Sequence, residues 1–543
     1  MPRLSSLVAC LACASLGAAR KPTLEERGIP VDPTGVRTIT SPQGAQIRFK
    51  QPGKDGGICE TTPGVDDYAG YISLDEKTNM FFWFFEARTN PSQKPLTLWL
   101  NGGPGSDSMI GLLQEHGPCN VTEDLKTQLN PYSWNEESNM LYLSQPVGVG
   151  FSYETTETDS QGRYSLVDPD KANTTDFAAV GAWHILQAFL DLSPQLDPDI
   201  QNYTFNLWTE SYGGHYGPGF YNYFYQQNEA IKNGSVAGVE LAMDTLGIIN
   251  GIIDEEIQAP YYPEFAVNNT YGIKSINDTI YSFMKLAYSI PDGCKDQIGY
   301  CKGAIAESGP NSEETYFYCS QATDICRSMV EEPYYTFGGR GVYDIRHPYD
   351  DPTPPDYFME FLNLASTQEA LGVNINYTSS NAPNVSYGFQ TTGDFVLPNF
   401  IDDLEEILGY GVRVALIYGD ADYICNWFGG EAVSLAANFS HAEEFQAAGY
   451  APFVVGGVEY GEVREYGNFS FTRIYEAGHE IPYYQPEASL AIFKRVLEHL
   501  VISDGSQVVT ADYGTNGTAK ATHTESFVPL PPTSTPSANA TAY

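Results

Sequence analysis

The stretch Trp208-Thr209-Glu210-Ser211-Tyr212-Gly213-Gly214-His215-Tyr216-Gly217-Pro218 constrains the fold more than any other part of this sequence. An apolar run, Thr204-Phe205-Asn206-Leu207-Trp208, reads as a buried strand, and it stops at a serine that leads directly into a glycine-rich turn. A strand that reverses into a helix at one residue forces that residue into a strained backbone. Its neighbours two positions away must then be small, so that the helix can pack back on the strand. Gly213 meets this demand on one side and Thr209, bulkier but still small, on the other. The pattern is that of a nucleophile elbow, although a Ser-x-Gly triplet alone is common and most serines are surface or capping residues.

Other apolar runs supply a sheet for the elbow. They are Tyr71 to Leu74, Met80 to Phe85, Leu96 to Leu100, Asn139 to Leu143, Leu246 to Ile249 and Val412 to Tyr418. A helical pattern from Asp176 to Leu192 lies among them, and strands alternating with helices imply βαβ units and a largely parallel sheet. In such folds reactive groups gather beyond the C-terminal ends of the strands. The run ending at Leu100 enters Asn101-Gly102-Gly103-Pro104-Gly105, which cannot continue a strand and exposes backbone N–H groups. The fold class expected is therefore α/β, an α/β-hydrolase core with an inserted cap. Its core spans 20–254 and 400–502. The cap is the Tyr-, Pro- and Cys-rich segment 255–399, and a Ser-, Thr- and Pro-rich tail at 503–543 has a composition expected to stay disordered.

A nucleophilic serine needs a base, and α/β-hydrolases carry Ser, then an acid, then His in chain order. After Ser211, the strand ending at Tyr418 leads into Gly419-Asp420-Ala421-Asp422-Tyr423-Ile424-Cys425-Asn426-Trp427, and then comes Ala477-Gly478-His479-Glu480. His479 is placed to take the serine proton, but Asp420 and Asp422 both lie at the strand end and spacing does not choose between them.

Composition narrows the setting. The formal charge of -40, from 68 acidic and 28 basic residues, repels phosphate backbones and leaves no basic stripe for nucleic acid. Residues 1–19 read as a secretory signal peptide, with Arg3, an apolar stretch from Leu4 to Leu16, and small residues Gly17-Ala18-Ala19. No segment offers the roughly 20 apolar residues of a membrane span, so a secreted, extracellular protein is expected. Of nine cysteines, Cys10 and Cys13 fall in the signal segment and seven remain. Nested spacing suggests pairing Cys294 with Cys326 and Cys301 with Cys319; of the three that remain, Cys59 is expected to pair with Cys119, although sequence alone does not prove this connectivity. Sequons at Asn120, Asn173, Asn202, Asn233, Asn268, Asn277, Asn376, Asn384, Asn438, Asn468, Asn516 and Asn539 point to a glycoprotein. The histidines are scattered and no H-E-x-x-H occurs, so neither a metal site nor any other cofactor is expected.

Four motifs in fixed order resemble the serine carboxypeptidase family. These are Trp99-Leu100-Asn101-Gly102-Gly103-Pro104-Gly105, Glu210-Ser211-Tyr212-Gly213-Gly214-His215-Tyr216-Gly217-Pro218, the Gly419 to Trp427 stretch, and Ala477-Gly478-His479. The similarity runs from about Gly57 to Leu500 and is strongest to secreted fungal members related to carboxypeptidase Y. It implies a peptidase that removes C-terminal residues from peptides and proteins through an acyl-enzyme. Under the resemblance Ser211, Asp422 and His479 are catalytic, the N–H groups of Gly103 and Tyr212 form an oxyanion hole, and Trp99, Asn101, Glu115 and Glu210 bind the substrate carboxylate. Carboxyls that bind an anion must share protons, which implies activity favoured at acidic pH. Cys425 matches a free cysteine of the family. Ser106-Asp107-Ser108 departs from the family pattern, in which a cysteine follows the Gly-Pro-Gly turn. An acyltransferase on the same scaffold and a glycoprotein that has lost catalysis are the competing readings.

Overall fold

The apolar runs become strands of one twelve-stranded sheet. The computed structural model describes residues 29–530 apart from 42–43, 76, 159–161, 169–172, 199, 352, 380–384 and 398–399. The signal segment and the sequons at Asn384 and Asn539 lie outside the described residues.

In chain order the strands are β1 (Arg37–Thr40), β2 (Gln46–Lys50), β3 (Asp67–Ser73), β4 (Asn79–Phe85), β5 (Leu96–Leu100) and β6 (Asn139–Leu143). They continue as β7 (Thr204–Glu210), β8 (Ala242–Ile249), β9 (Arg413–Gly419), β10 (Ala451–Val455), β11 (Val458–Tyr466) and β12 (Phe469–Ile474). Across the sheet they run β1-β2-β3-β4-β6-β5-β7-β8-β9-β12-β11-β10. The six central strands from β6 to β12 pair in parallel and the flanking strands antiparallel. This mixed sheet with a parallel centre is the α/β-hydrolase architecture the sequence implies.

The period of two along each strand divides the core. Leu98, Leu207, Leu246 and Leu416 face one layer with helices α1 (Thr175–Leu196) and α2 (Gly213–Lys232), while Trp99, Trp208, Ala415 and Ile417 face Trp134 and Phe493 on the other side. Burial of both faces explains why these strands read as continuous apolar runs.

Between β8 and β9 every regular element among the described residues is helical. Disulfides Cys294–Cys326 and Cys301–Cys319 join the helices Cys294–Ser308 and Glu313–Cys326 of this insertion, and Cys59–Cys119 staples the first part of the core. Cys425 is free and buried.

The expected disordered tail needs correction over 503–530, which lies as a strap along the sheet edge and onto the insertion. Tyr450 and Thr518 exchange backbone hydrogen bonds of 2.7 and 3.2 Å, and Arg464 Nη2 donates to Ala519 O at 3.0 Å. Further on, the His523 ring stacks on Tyr475 with centroids 3.6 Å apart, and Glu525 N reaches Thr270 O at 2.8 Å. Composition misleads here because the strap's partners belong to the sheet edge, not to the tail itself.

Candidate active site

Four parallel strands deliver their C-terminal ends to one place: β5 leads into Asn101, β7 into Ser211, β9 into Asp422 and β12 into the His479 loop. Ser211 has φ +63°, the strained left-handed backbone expected of an elbow. Its N–H donates to Ile249 O, and its carbonyl accepts from Ile252 and Gly214, which fixes the turn. The small neighbours are needed. A Cβ on Gly213 would lie 2.5 Å from Thr209 Cβ, and one on Gly214 would lie 2.2 Å from Ile252 O. Thr209 is tolerated because its hydroxyl turns to donate to Gly213 O at 2.7 Å.

The ambiguity between the two aspartates resolves in space. Asp422 Oδ2 lies 2.6 Å from His479 Nδ1, whereas Asp420 Oδ1 accepts from Tyr271 OH at 2.7 Å and faces the Arg473 guanidinium at 3.8 Å. Burial raises the Asp422 carboxyl, while His479 and the N–H groups of Ile424 and Cys425 oppose that rise. Atoms of Asp422, Cys425 and His479 fall within 4.8 Å of one another, so the buried thiol borders the histidine–aspartate pair. Burial and the neighbouring Asp422 charge push the Cys425 thiol well above its ordinary range. Among the described residues no hydrogen bond closes between Ser211 Oγ and His479, a contact that commonly tightens only with substrate bound.

Two backbones meet over the serine. Gly103 has φ +109°, and a Cβ on Gly102 would come within 2.3 Å of Tyr212 N, so the turn after β5 lies directly on the elbow. No side chain could stand between the two loops.

Beside them is a polar chain with almost no exposure. Trp99 Nε1 donates to Asn101 Oδ1 at 2.7 Å, and Asn101 Nδ2 donates to Glu210 Oε1 at 3.0 Å and to Glu115 Oε1 at 3.3 Å. Gly111 N also donates to Asn101 Oδ1, at 2.9 Å, which fixes the amide orientation. Glu115 and Glu210 are 2% and 3% exposed, and their carboxyls lie within hydrogen-bond reach of each other. Burial raises both carboxyls. For Glu210 the neighbouring Glu115 charge adds to the rise, whereas for Glu115 the hydrogen bonds to Glu210 and Asn101 oppose it.

Sequence reasoning missed two members of this site. Glu480, next to His479, has Oε2 buried without a partner, and burial and the Glu115 charge raise it well above the usual carboxylate range, as for the two carboxyls beside it. Its position beside the histidine was the available signal. Asn250, with φ +44°, accepts from Gly419 N at 2.7 Å and donates to the carbonyls of Gly478 and His479 at 3.1 and 2.7 Å. It ties the aspartate turn to the histidine loop, and nothing in its local sequence marks it.

Of the sequon asparagines, Asn120, Asn233, Asn268, Asn277, Asn438 and Asn516 are exposed. Asn202 and Asn468 are half-buried, with amide nitrogens donating to Gln93 O and Val412 O. Asn173 and Asn376 are 8% and 5% exposed, too enclosed in this fold for a glycan, contrary to expectation.

A serine at an elbow, an aspartate–histidine pair and a parallel sheet define an α/β-hydrolase. The chain belongs to the serine carboxypeptidase family, whose model matches residues 55–499. It is 42% identical over 535 residues to carboxypeptidase S1 homolog A of Arthroderma otae, covering 88% of this chain and 81% of that protein. It is also 42% identical over 452 residues to carboxypeptidase S1 of Penicillium janthinellum, covering 83% of this chain and 99% of that one. The crystal structure of Kex1(delta)p, a prohormone-processing carboxypeptidase from Saccharomyces cerevisiae, shares the fold. Its TM-score is 0.62 at 21% identity, over 83% of this chain and 95% of that chain.

Proposed function

We propose that this serine carboxypeptidase attacks the C-terminal peptide bond with Ser211, using His479 as general base and then as acid to the leaving amine, with Asp422 orienting the imidazole and stabilising its cation. The N–H groups of Gly103 and Tyr212 hold the developing oxyanion. Trp99, Asn101, Glu115 and Glu210, joined by Glu480, receive the free α-carboxylate. The enzyme works best in acid and is a secreted glycoprotein, a reading supported by three disulfides and six exposed sequons.

The observation that carries this reading is the buried Asn101–Glu115–Glu210 cluster, with which no lysine or arginine forms an ion pair among the described residues. Two ionised carboxylates there would repel each other and the substrate. Once protonated they donate hydrogen bonds to a carboxylate, the one ligand such a cluster suits. The sign follows: above the raised pKa values the groups ionise and substrate binding is lost, so KM rises with pH before kcat falls.

The test incubates an N-blocked dipeptide and its C-terminally amidated twin with wild type and S211A at pH near 4.5. Release of the terminal amino acid by wild type alone, with the amide cleaved far more slowly, is expected. Equal turnover of the two substrates would contradict carboxylate recognition, and turnover by S211A would remove Ser211 from the chemistry.

A further inference from the structure

The oxyanion donor Tyr212 is held from outside the hydrolase core. Its hydroxyl donates to Asp394 Oδ2 at 2.6 Å, and Asp394 belongs to the insertion between β8 and β9. Thr175, the first residue of helix α1, donates to the same carboxyl twice, through N to Oδ1 at 2.9 Å and through Oγ1 to Oδ2 at 2.7 Å. Tyr212, Asp394 and Thr175 are each 0% exposed. One carboxyl therefore joins the elbow, a core helix and the insertion.

The surroundings leave Asp394 little freedom. Gly393, at φ +73°, would place a Cβ 2.1 Å from the backbone of Cys319, so this segment sits directly on the disulfide-bridged helix Glu313–Cys326. Phe395 stacks near the Tyr212 ring, with the Arg327 guanidinium 4.9 Å over its own ring, and its carbonyl lies 3.2 Å from His215 Nε2. The His215 ring in turn stacks on Tyr212 at 4.3 Å. Rotation or sliding of Tyr212 would break the hydrogen bond to Asp394 and this stack together. Because Gly102 already lies against Tyr212 N, a small displacement of Tyr212 also changes the gap between the two N–H donors. Preorganised donors stabilise a tetrahedral intermediate only while their geometry holds.

We propose that Asp394 is a positioning residue for the oxyanion hole: through the Tyr212 hydroxyl, the insertion fixes the Tyr212 N–H where the oxyanion forms, so the insertion contributes to kcat as well as to the shape of the cleft. This rests on the reading above that Tyr212 N–H is an oxyanion donor. Asp394 touches no reacting atom and acts only through Tyr212.

The test measures kcat and KM, per site titrated with a serine-directed phosphonylating reagent, for release of the C-terminal residue from an N-blocked dipeptide. It compares wild type, Y212F, D394A, D394N and the Y212F/D394A double variant. Alongside, it measures the affinity of a peptide aldehyde, whose adduct with a serine nucleophile places an oxyanion in the hole. Y212F and D394A are each expected to lose about 10- to 100-fold in kcat with KM within about 3-fold, and the aldehyde affinity to fall in parallel. D394N, which retains polar groups for the tyrosine, is expected to recover part of the loss, and the double variant to be no worse than the poorer single one. Unchanged kcat in Y212F, fully additive losses, or an aldehyde affinity that does not move with kcat would each overturn the proposal. Should D394A yield no titratable enzyme, Y212F decides, since it leaves Asp394 and Thr175 in place. A wild type that releases no amino acid fails the parent reading instead, so the two failures are distinct.

Discussion

Asp420 and Asp422 lie on one turn, two residues apart, with no exposure and no local difference in composition. Asp422 faces His479, which under the proposed mechanism changes its charge during turnover. Asp420 faces Tyr271 OH and Arg473, partners whose state is fixed, and its backbone carbonyl accepts from Thr270 Oγ1 at 3.2 Å. The first arrangement can answer a proton transfer, while the second can only hold the insertion to the sheet. Identity of side chain and depth of burial do not decide what a carboxyl does; the partner does.

Substitutions at this turn should separate the two roles. D422N leaves the shape but presents the wrong donor to His479, and kcat is expected to fall by about 10⁴-fold with little change in KM. D420N is expected to keep kcat within about 5-fold and to lower the melting temperature by several degrees, as measured by calorimetry. A large loss of kcat in D420N would erase the distinction.

The carboxylate cluster extends the comparison, because among the described residues no histidine, lysine or arginine is hydrogen-bonded to Glu115, Glu210 or Glu480. KM for a free-carboxylate substrate is expected to rise about 10- to 100-fold between pH 4.5 and 7.5, and the E115Q/E210Q variant to flatten that rise. A wild-type KM flat across this range would show that the cluster does not gate binding.

Carboxyls of Asp420's kind are expected to shape the pH dependence of stability. Burial raises Asp420, Asp394 and Asp107 to about 6, Asp67 and Glu465 to about 7 and Glu86 to about 8. A folded value above the unfolded one means that the stabilisation is complete below the ordinary carboxylate range, near pH 4, and drains away as pH rises through 6 to 8. The melting temperature is therefore expected to be highest near pH 4 to 5 and to decline towards pH 8, with a smaller decline in D420N.

The smallest effect is expected at His523. H523A removes a ring stacked on Tyr475 but leaves the backbone carbonyl that Arg473 Nη2 reaches at 2.9 Å. A loss of about 1–3 °C in melting temperature with unchanged kcat/KM is expected. A comparable loss of kcat/KM would show that the strap reaches the catalytic turn.

What could be read in advance follows from how local each signal is. The parallel strands were legible because burial on both faces makes them continuous apolar runs, and the elbow because its turn demands small residues at fixed offsets. The choice of Asp422 over Asp420 needed the family pattern, since the deciding contact is with His479, 57 residues away. Asn250 and Asp394 were not legible at all. Their partners lie up to 229 and 219 residues distant, and only the closed fold brings them together.

The strap has a consequence for how the chain is made. The strap covers edge strand β10 through Ser503 O, which accepts from Val454 N at 2.8 Å, and pairs Thr518 with Tyr450 just before the strand begins. During synthesis β10 emerges some fifty residues before the segment that guards it, so the nascent sheet passes through an interval with an open edge. Chaperone engagement and self-association should concentrate in that interval, and shortening the tail ahead of Ser503 should lower the yield of soluble protein before it alters the chemistry of the site.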